Sequence, residues 1–320
     1  MRDRPALSVV IPVLDEADNV GPLHRRLREA LEPMGVPFEI LFVDDGSRDG
    51  TPERLAALRA ADPAVVVVRF RRNFGQTAAM AAGFRLARGR IIVSLDGDLQ
   101  NDPADIPRLV AKLDEGYDVV QGWRRNRQDR FLSRRLPSIV ANRLIARLSG
   151  VSVHDNGCSL KAYRAEVIKR VALYAEMHRF IPAMATLAGA RIAEVPVRHH
   201  ARRFGRSKYG IGRAWRVCLD LFLVAMLTRF AARPGLWFGL WSLAAAAAGL
   251  ACVGALLLPL DSGIVLPSLA FLAFCLAGHL LAMGAMGTVL VETGSFRPDP
   301  VAPGVGPRTV RLPIATKGVP

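Results

Sequence analysis

Over residues 7–122, short apolar runs alternate with longer stretches in which apolar residues recur at helical spacing. Leu7–Ile11, Phe38–Val43, Val65–Phe70, Ile91–Leu95 and Asp118–Gly122 are rich in Val, Ile and Leu and predict strands. Ala17–Leu31, Pro52–Ala61, Gly75–Ala87 and Asp105–Glu115, which lie between them, predict helices. Strands this continuously apolar are buried on both faces, so the pattern predicts an α/β fold with a mostly parallel sheet between helices. Ligands of such sheets gather at the C-terminal strand ends.

The pattern changes near the end of the chain. Pro234–Leu260 contains no charge, and Ser262–Val291 has only His279 as a titratable group. Each run is long enough to cross about 30 Å of hydrocarbon as a helix, and core helices of soluble proteins seldom stay uncharged over such lengths. The pair predicts a transmembrane hairpin. Arg213, Arg216, Arg229 and Arg233 precede it, Arg297, Arg308 and Arg311 follow it, and the Asp261–Gly263 linker has no basic residue. By the positive-inside rule both termini face the cytoplasm. The N-terminus shows no apolar signal-peptide core, which fits a cytoplasmic first domain on a multi-pass protein of the cytoplasmic membrane.

Composition sharpens this division. The chain has 320 residues, 51% of them apolar, and a net charge of +15. About +14 of that charge lies before Pro234. Eight arginines against one acid occupy Arg124–Arg147, and seven basic residues with no acid occupy Arg198–Arg216, each stretch adjoining apolar positions at helical spacing. Basic amphipathic segments beside a span predict contact with an anionic leaflet. Nucleic-acid binding would explain the charge but not the spans, and is not expected. The expected division is 1–130 for the alternating α/β part, 131–233 for a basic part at the membrane interface, 234–291 for the hairpin and 292–320 for a Pro- and Gly-rich tail. None of the four cysteines has metal-ligand spacing, and unpaired thiols fit a reducing compartment.

The candidate chemistry sits just after the strands. Asp15 and Glu16 come after the first, Asp44 and Asp45 after the second, Asn73 after the third, and Asp96-Gly97-Asp98-Leu99-Gln100 after the fourth. Asp96 and Asp98 with the Gln100 amide oxygen form a hard-oxygen donor set suited to Mg²⁺ or Mn²⁺. Neither a GxGxxG nor a Walker A loop is present to cradle phosphates, so a nucleotide bound here would need another way to offset its phosphate charge. Gly205-Arg206-Ser207-Lys208 combines a small residue, a hydroxyl and cations in a way that can clasp a phosphate.

The ordered set Val9–Asn19, Val43–Thr51 (VDDGSRDGT), Arg72–Ala79 (RNFGQTAA) and Asp96–Pro103 (DGDLQNDP) resembles the nucleotide-sugar domain of family 2 glycosyltransferases with a GT-A fold. Ile106–Val120, Arg125–Arg130, Asp155–Arg164 (DNGCSLKAYR) and Phe204–Tyr209 (FGRSKY) resemble its polyprenyl-phosphate branch. That branch includes dolichol-phosphate mannose synthase and undecaprenyl-phosphate 4-deoxy-4-formamido-L-arabinose transferase. The resemblance implies that Pro12, Asp15, Glu16, Asp44, Asp45 and Asn73 line the nucleotide, and that Asp96, Asp98 and Gln100 hold the metal. It makes Asp98 and Asp155 the catalytic residues, with Asp155 at the anomeric centre or acceptor as the candidate base or sugar-orienting group. It places Arg124 and Arg127 on phosphates, while Arg203, Ser207 and Lys208 receive the lipid phosphate. It allows a homotetramer. Two departures stand out: Asp-Gly-Asp replaces the usual Asp-Ala-Asp, and the tail is not the usual basic continuation.

The function so implied is inverting transfer of a sugar from a nucleotide sugar, UDP-linked in preference to GDP-linked, to a polyprenyl phosphate such as undecaprenyl phosphate in cell-envelope or lipopolysaccharide assembly. A processive polysaccharide synthase is the rival enzyme, but its QxxRW motif and larger set of spans are absent from the sequence. A non-catalytic, membrane-anchored nucleotide-sugar-binding scaffold is the rival of another class, and the intact acidic centre opposes it.

Overall fold

A computed structural model describes residues 4–125, 153–171, 173, 178, 180–187, 189–201, 233–258 and 263–293. Arg127, Arg203, Ser207, Lys208, most of the two basic stretches and the tail from 294 lie outside these residues. The chain divides into two compact units, one holding every described strand, the other holding the two long C-terminal helices.

In the first unit β1 (Leu7–Val13), β2 (Phe38–Asp44), β3 (Val65–Arg69), β4 (Ile91–Ser94) and β5 (Val119–Trp123) match the apolar runs. α1 (Ala17–Leu31), α2 (Thr51–Ala61), α3 (Gln76–Leu86) and α4 (Ile106–Asp114) fill the intervals. Two further strands, β6 (Lys161–Arg164) and β7 (Ile192–Pro196), and two short helices, α5 (Ala165–Ile168) and α6 (Ile181–Leu187), complete this unit as described. The sheet order is β3-β2-β1-β4-β6-β5-β7. All neighbours are parallel except β6, which runs against both β4 and β5.

Apolar side chains alternate between the two sheet faces because a strand has a period of two. Val9, Ile11, Ile40 and Phe42 pack with Leu23 and Leu27 of α1 and with Leu109 and Val110 of α4. Val10, Leu41 and Val43 pack with Met80 and Phe84 of α3 on the other face. Covered on both sides, the sheet leaves its C-terminal edge as the place where β1, β2, β3, β4 and β5 deliver polar residues.

In the second unit α7 (Pro234–Ala255) and α8 (Val265–Thr293) are long and apolar enough to cross a membrane, with mean hydropathies of 1.8 for Pro234–Ala255 and 2.0 for Val265–Leu290. They pack on each other closely: a Cβ on Gly284 would meet the Phe238 Cβ at 3.0 Å, and the Ser242 hydroxyl donates to the Ala277 carbonyl at 2.8 Å. The outward side chains stay exposed, including Leu243, Leu250 and Phe271. So much contiguous exposed apolar surface suits hydrocarbon, not water, and separates these helices from buried core helices.

Candidate active site

The first two strand ends are laced together. The Asp15 amide donates to the Ser47 hydroxyl at 2.9 Å, and the Asp15 carboxylate accepts from the Arg48 amide at 2.9 Å. Asp15 adopts φ +50°, a left-handed conformation that these two bonds hold in place. The Glu16 amide donates to the Thr51 hydroxyl at 2.9 Å. Between Asp15, the Gly46–Arg48 turn and Arg69–Asn73 lies an open cleft of about 660 Å³. Gly46 is required here, since it has φ +77° and a Cβ would lie 2.5 Å from the Arg72 carbonyl carbon. Pro12 is half-buried near the end of β1, and Asn73 lies in the cleft wall.

The neighbouring aspartates do different work. Asp44 is fully buried; one carboxylate oxygen accepts from the Ser47 amide at 2.9 Å, and the other lies 3.4 Å from the Arg69 guanidinium. Asp45 turns away toward α3 and accepts from the Phe74 and Gly75 amides at 2.7 and 2.9 Å. A carboxylate there satisfies amides at the helix start and faces the positive end of its dipole. Burial pushes the Asp45 carboxyl upward, with the two amides pulling it back. Asp45 thus fixes the Phe74–Gly75 segment that follows Asn73 of the cleft wall.

At the end of β4, Asp96 is half-buried and accepts from the Gln76 side-chain amide at 2.8 Å. Asp98 is buried and accepts from the Gln100 backbone amide at 3.1 Å, across Leu99 at φ +62°. The glycine between the two aspartates has a packing cause: a Cβ on Gly97 would sit 2.8 Å from Val13 Cγ1. Among the described residues no three His, Cys, Asp or Glu side chains group into a metal cluster. A cation at this edge would therefore depend on the Asp96 and Asp98 carboxylates, the Gln100 oxygen, water and ligand phosphate, which is the chemistry of Mg²⁺ or Mn²⁺. The residues fit such an ion. The chain leaving β7 returns beside this loop, with the His200 amide donating to the Gln100 carbonyl at 2.8 Å and the His200 ring 3.1 Å from Asp102.

Beyond β5 the structure joins two residues that lie far apart in the sequence. Arg124 grips the Asp155 carboxylate with Nε at 2.7 Å and Nη2 at 2.8 Å, and its backbone amide adds a third bond at 3.2 Å. Both side chains are about nine-tenths buried. Burial works against the guanidinium's charge, but the Asp155 bonds and charge outweigh it, aided by Asp96, and its pKa is raised. The Gln121 side-chain amide donates to the Asp155 carbonyl. Glu194 accepts from the His154 backbone amide at 2.9 Å and lies 2.7 Å from its ring, which stacks on Trp123.

Sequence reasoning missed Gln76, Glu194, Lys161 and the Thr77–His178 pair. Lys161 is 2% exposed at the start of β6, and burial pulls its ammonium down to about 8, against the fields of Cys158, Asp155 and Asp96. This depression has a thermodynamic sign. Between pH 8 and the ordinary lysine value near 10.5 the unfolded chain holds a proton that the folded chain has lost, so stability rises with pH there. Burial pushes Cys158 the other way, up to about 12, and also raises Tyr163, so these two oppose the gain above about pH 9, where the unfolded thiol ionises. In thermal or denaturant unfolding in detergent, wild type is expected to gain on the order of 1–3 kcal/mol relative to Lys161→Met between pH 7 and 10. A constant difference across that range would refute a buried, depressed ammonium.

Glycosyl transferase family 2, as a family-level description, matches residues 8–172. A dodecaprenyl-phosphate galacturonate synthase from Rhizobium johnstonii is 49% identical over 237 residues, 73% of this chain and 70% of that protein. Glucosyl-3-phosphoglycerate synthase from Mycobacterium tuberculosis, solved with Mn²⁺, UDP and glucosyl-3-phosphoglycerate, superposes with a TM-score of 0.55 at 22% identity, over 69% of this chain and 80% of that one. The same enzyme with Mn²⁺ and UDP-glucose gives 0.53 at 23% identity, over 69% and 79%. At these identities the structural likeness speaks to the fold.

Proposed function

The chain belongs to glycosyl transferase family 2, and from that premise we propose that it transfers a sugar from a nucleoside diphosphate, UDP in preference to GDP, to the phosphate of a polyprenyl lipid at a membrane. The observation that carries this reading is the convergence of the Asp96–Gln100 loop, the nucleotide-sized cleft and the Arg124–Asp155 pair on one sheet edge, in a chain that also has two apolar helices of spanning length. Residues 1–130 serve the donor, 131–233 the acceptor and membrane surface, and both termini face the cytoplasm.

In this reading the base and ribose occupy the cleft between Asp15 and Arg69–Asn73, with the second Asp44 oxygen beside the Arg69 guanidinium of its wall. Asp96, Asp98 and Gln100 would hold Mg²⁺ or Mn²⁺, which when bound would offset the charge of the departing diphosphate. The lipid phosphate has a second pKa near ~6, so its oxygen is already largely anionic at neutral pH and has little need of a general base. It attacks the anomeric carbon, the bond to the diphosphate oxygen breaks, and the configuration inverts. Asp155, with both oxygens committed to Arg124, orients that guanidinium toward phosphate. Arg127, Arg203, Ser207 and Lys208 receive the lipid phosphate. The chain's own contribution is thus positioning and charge complementarity.

The test is a panel of UDP- and GDP-linked sugars with undecaprenyl phosphate in detergent, read by the mass of the lipid product. Because the Rhizobium relative is named for galacturonate, UDP-galacturonate heads the panel. One lipid-linked sugar is expected, with loss of product on chelation and recovery with Mn²⁺ or Mg²⁺. Sugar polymer would favour a processive synthase. Donor binding without transfer or hydrolysis would favour a scaffold.

A further inference from the structure

Because β6 is antiparallel to its neighbours, its first residue, not its last, lies at the edge where β4 and β5 end. Lys161 is that residue, in register with Ser94 on one side and Gln121 on the other. Its ammonium donates to two backbone carbonyls, Asn156 at 3.4 Å and His178 at 3.3 Å. These belong to opposite arms of the site. Asn156 adjoins Asp155, which grips Arg124. The His178 ring lies 2.7 Å from the Thr77 hydroxyl, and Thr77 adjoins Gln76, whose amide holds Asp96. One buried cation therefore joins the segment that fixes Asp155–Arg124 to the segment that fixes Gln76–Asp96.

Burying an ammonium is unfavourable unless hydrogen bonds and nearby charges compensate it, and a methionine would fill much the same space without that cost. Ordinary packing does not require the charge. The two carbonyl acceptors call for a donor at this place, and the fields of Asp96 and Asp155 favour its charged form although burial opposes it. Resting on the proposed transfer reaction, we propose that Lys161 is a positioning residue, its ammonium holding the Asp155–Arg124 and Gln76–Asp96 arms in one relative geometry. It touches no substrate, and acts by setting where the groups that do so are placed.

Full-length wild type, Lys161→Met and Lys161→Arg, purified in detergent, test this. Lys161→Met is expected to fold and to lose roughly 30- to 100-fold in kcat, the scale of a misplacement near 1 Å, with KM for the nucleotide sugar changed less than about threefold. Lys161→Arg, which keeps the cation and its donors, is expected to recover to within about fivefold of wild type. Hydrogen exchange should quicken in Lys161→Met around residues 76–80, 154–158 and His178 together, and return toward wild type in Lys161→Arg. Wild-type kcat in Lys161→Met, no recovery with arginine, or exchange quickened on only one arm would each overturn the proposal. If wild type transfers no sugar, the proposed reaction fails, and the exchange contrast still decides whether Lys161 couples the arms.

Discussion

Asp98→Asn is expected to lower turnover by roughly 10³-fold while the protein stays folded, and Asp98→Ala by at least as much. Asparagine keeps the volume of the side chain and an oxygen for the Gln100 amide, the bond seen at 3.1 Å, so the turn through Leu99 can persist. The change removes one of the two charges at the end of β4. With no cluster of three His, Cys, Asp or Glu among the described residues, a cation here has little protein charge to spare. Loss of about 4 kcal/mol of transition-state stabilisation corresponds to that 10³-fold. Gln76→Ala is the graded control. It leaves both carboxylates but frees Asp96 from its 2.8 Å amide contact, and a loss near tenfold is expected. Wild-type turnover in Asp98→Asn, at any Mn²⁺ concentration, would remove Asp98 from the reaction.

The parts of this site legible in the sequence are those in which local pattern and tertiary position coincide. Val, Ile and Leu runs end in acids at three strand ends and in Arg-Arg-Asn at a fourth, and a parallel sheet must bring such ends to one edge. The runs themselves predict β1–β5 to within a residue or two. β6 and β7 escape that reasoning because Lys-Ala-Tyr-Arg and Ile-Ala-Glu-Val-Pro carry charges and a proline, and are strands only by pairing with β4 and β5. Roles are harder to read than places. Asp44 and Asp45 are adjacent letters, yet Asp45 serves the start of α3, a partner 29 residues away that no spacing rule reveals. A lysine in a sequence reads as solvated, so although Lys161 lies within the DNGCSLKAYR stretch, nothing there signals that it is buried. Gly97 is the converse case, a departure from the family pattern explained by Val13 only once β1 and the β4 loop are seen side by side.

Removing either member of the Arg124–Asp155 pair is expected to be costly twice, and the two costs should separate. The pair is bidentate and about nine-tenths buried, so Arg124→Ala or Asp155→Ala strands a charge in a poorly solvated place. Each single change should destabilise the protein by about 3–5 kcal/mol. An apolar pair of similar volume, Arg124→Met with Asp155→Leu, leaves no stranded charge and should recover most of that stability. Activity is expected not to recover with it. If the guanidinium, held flat by Asp155, meets phosphate, the apolar pair should remain at least 10²-fold below wild type although folded. Asp155→Asn gives the intermediate case, retaining shape and one acceptor while weakening the grip on Arg124. Unfolding midpoints and turnover measured on the same four variants make the distinction. Recovery of both stability and turnover in the apolar pair would make this a folding contact only, whereas recovery of stability alone ties the pair to the phosphates of the reaction.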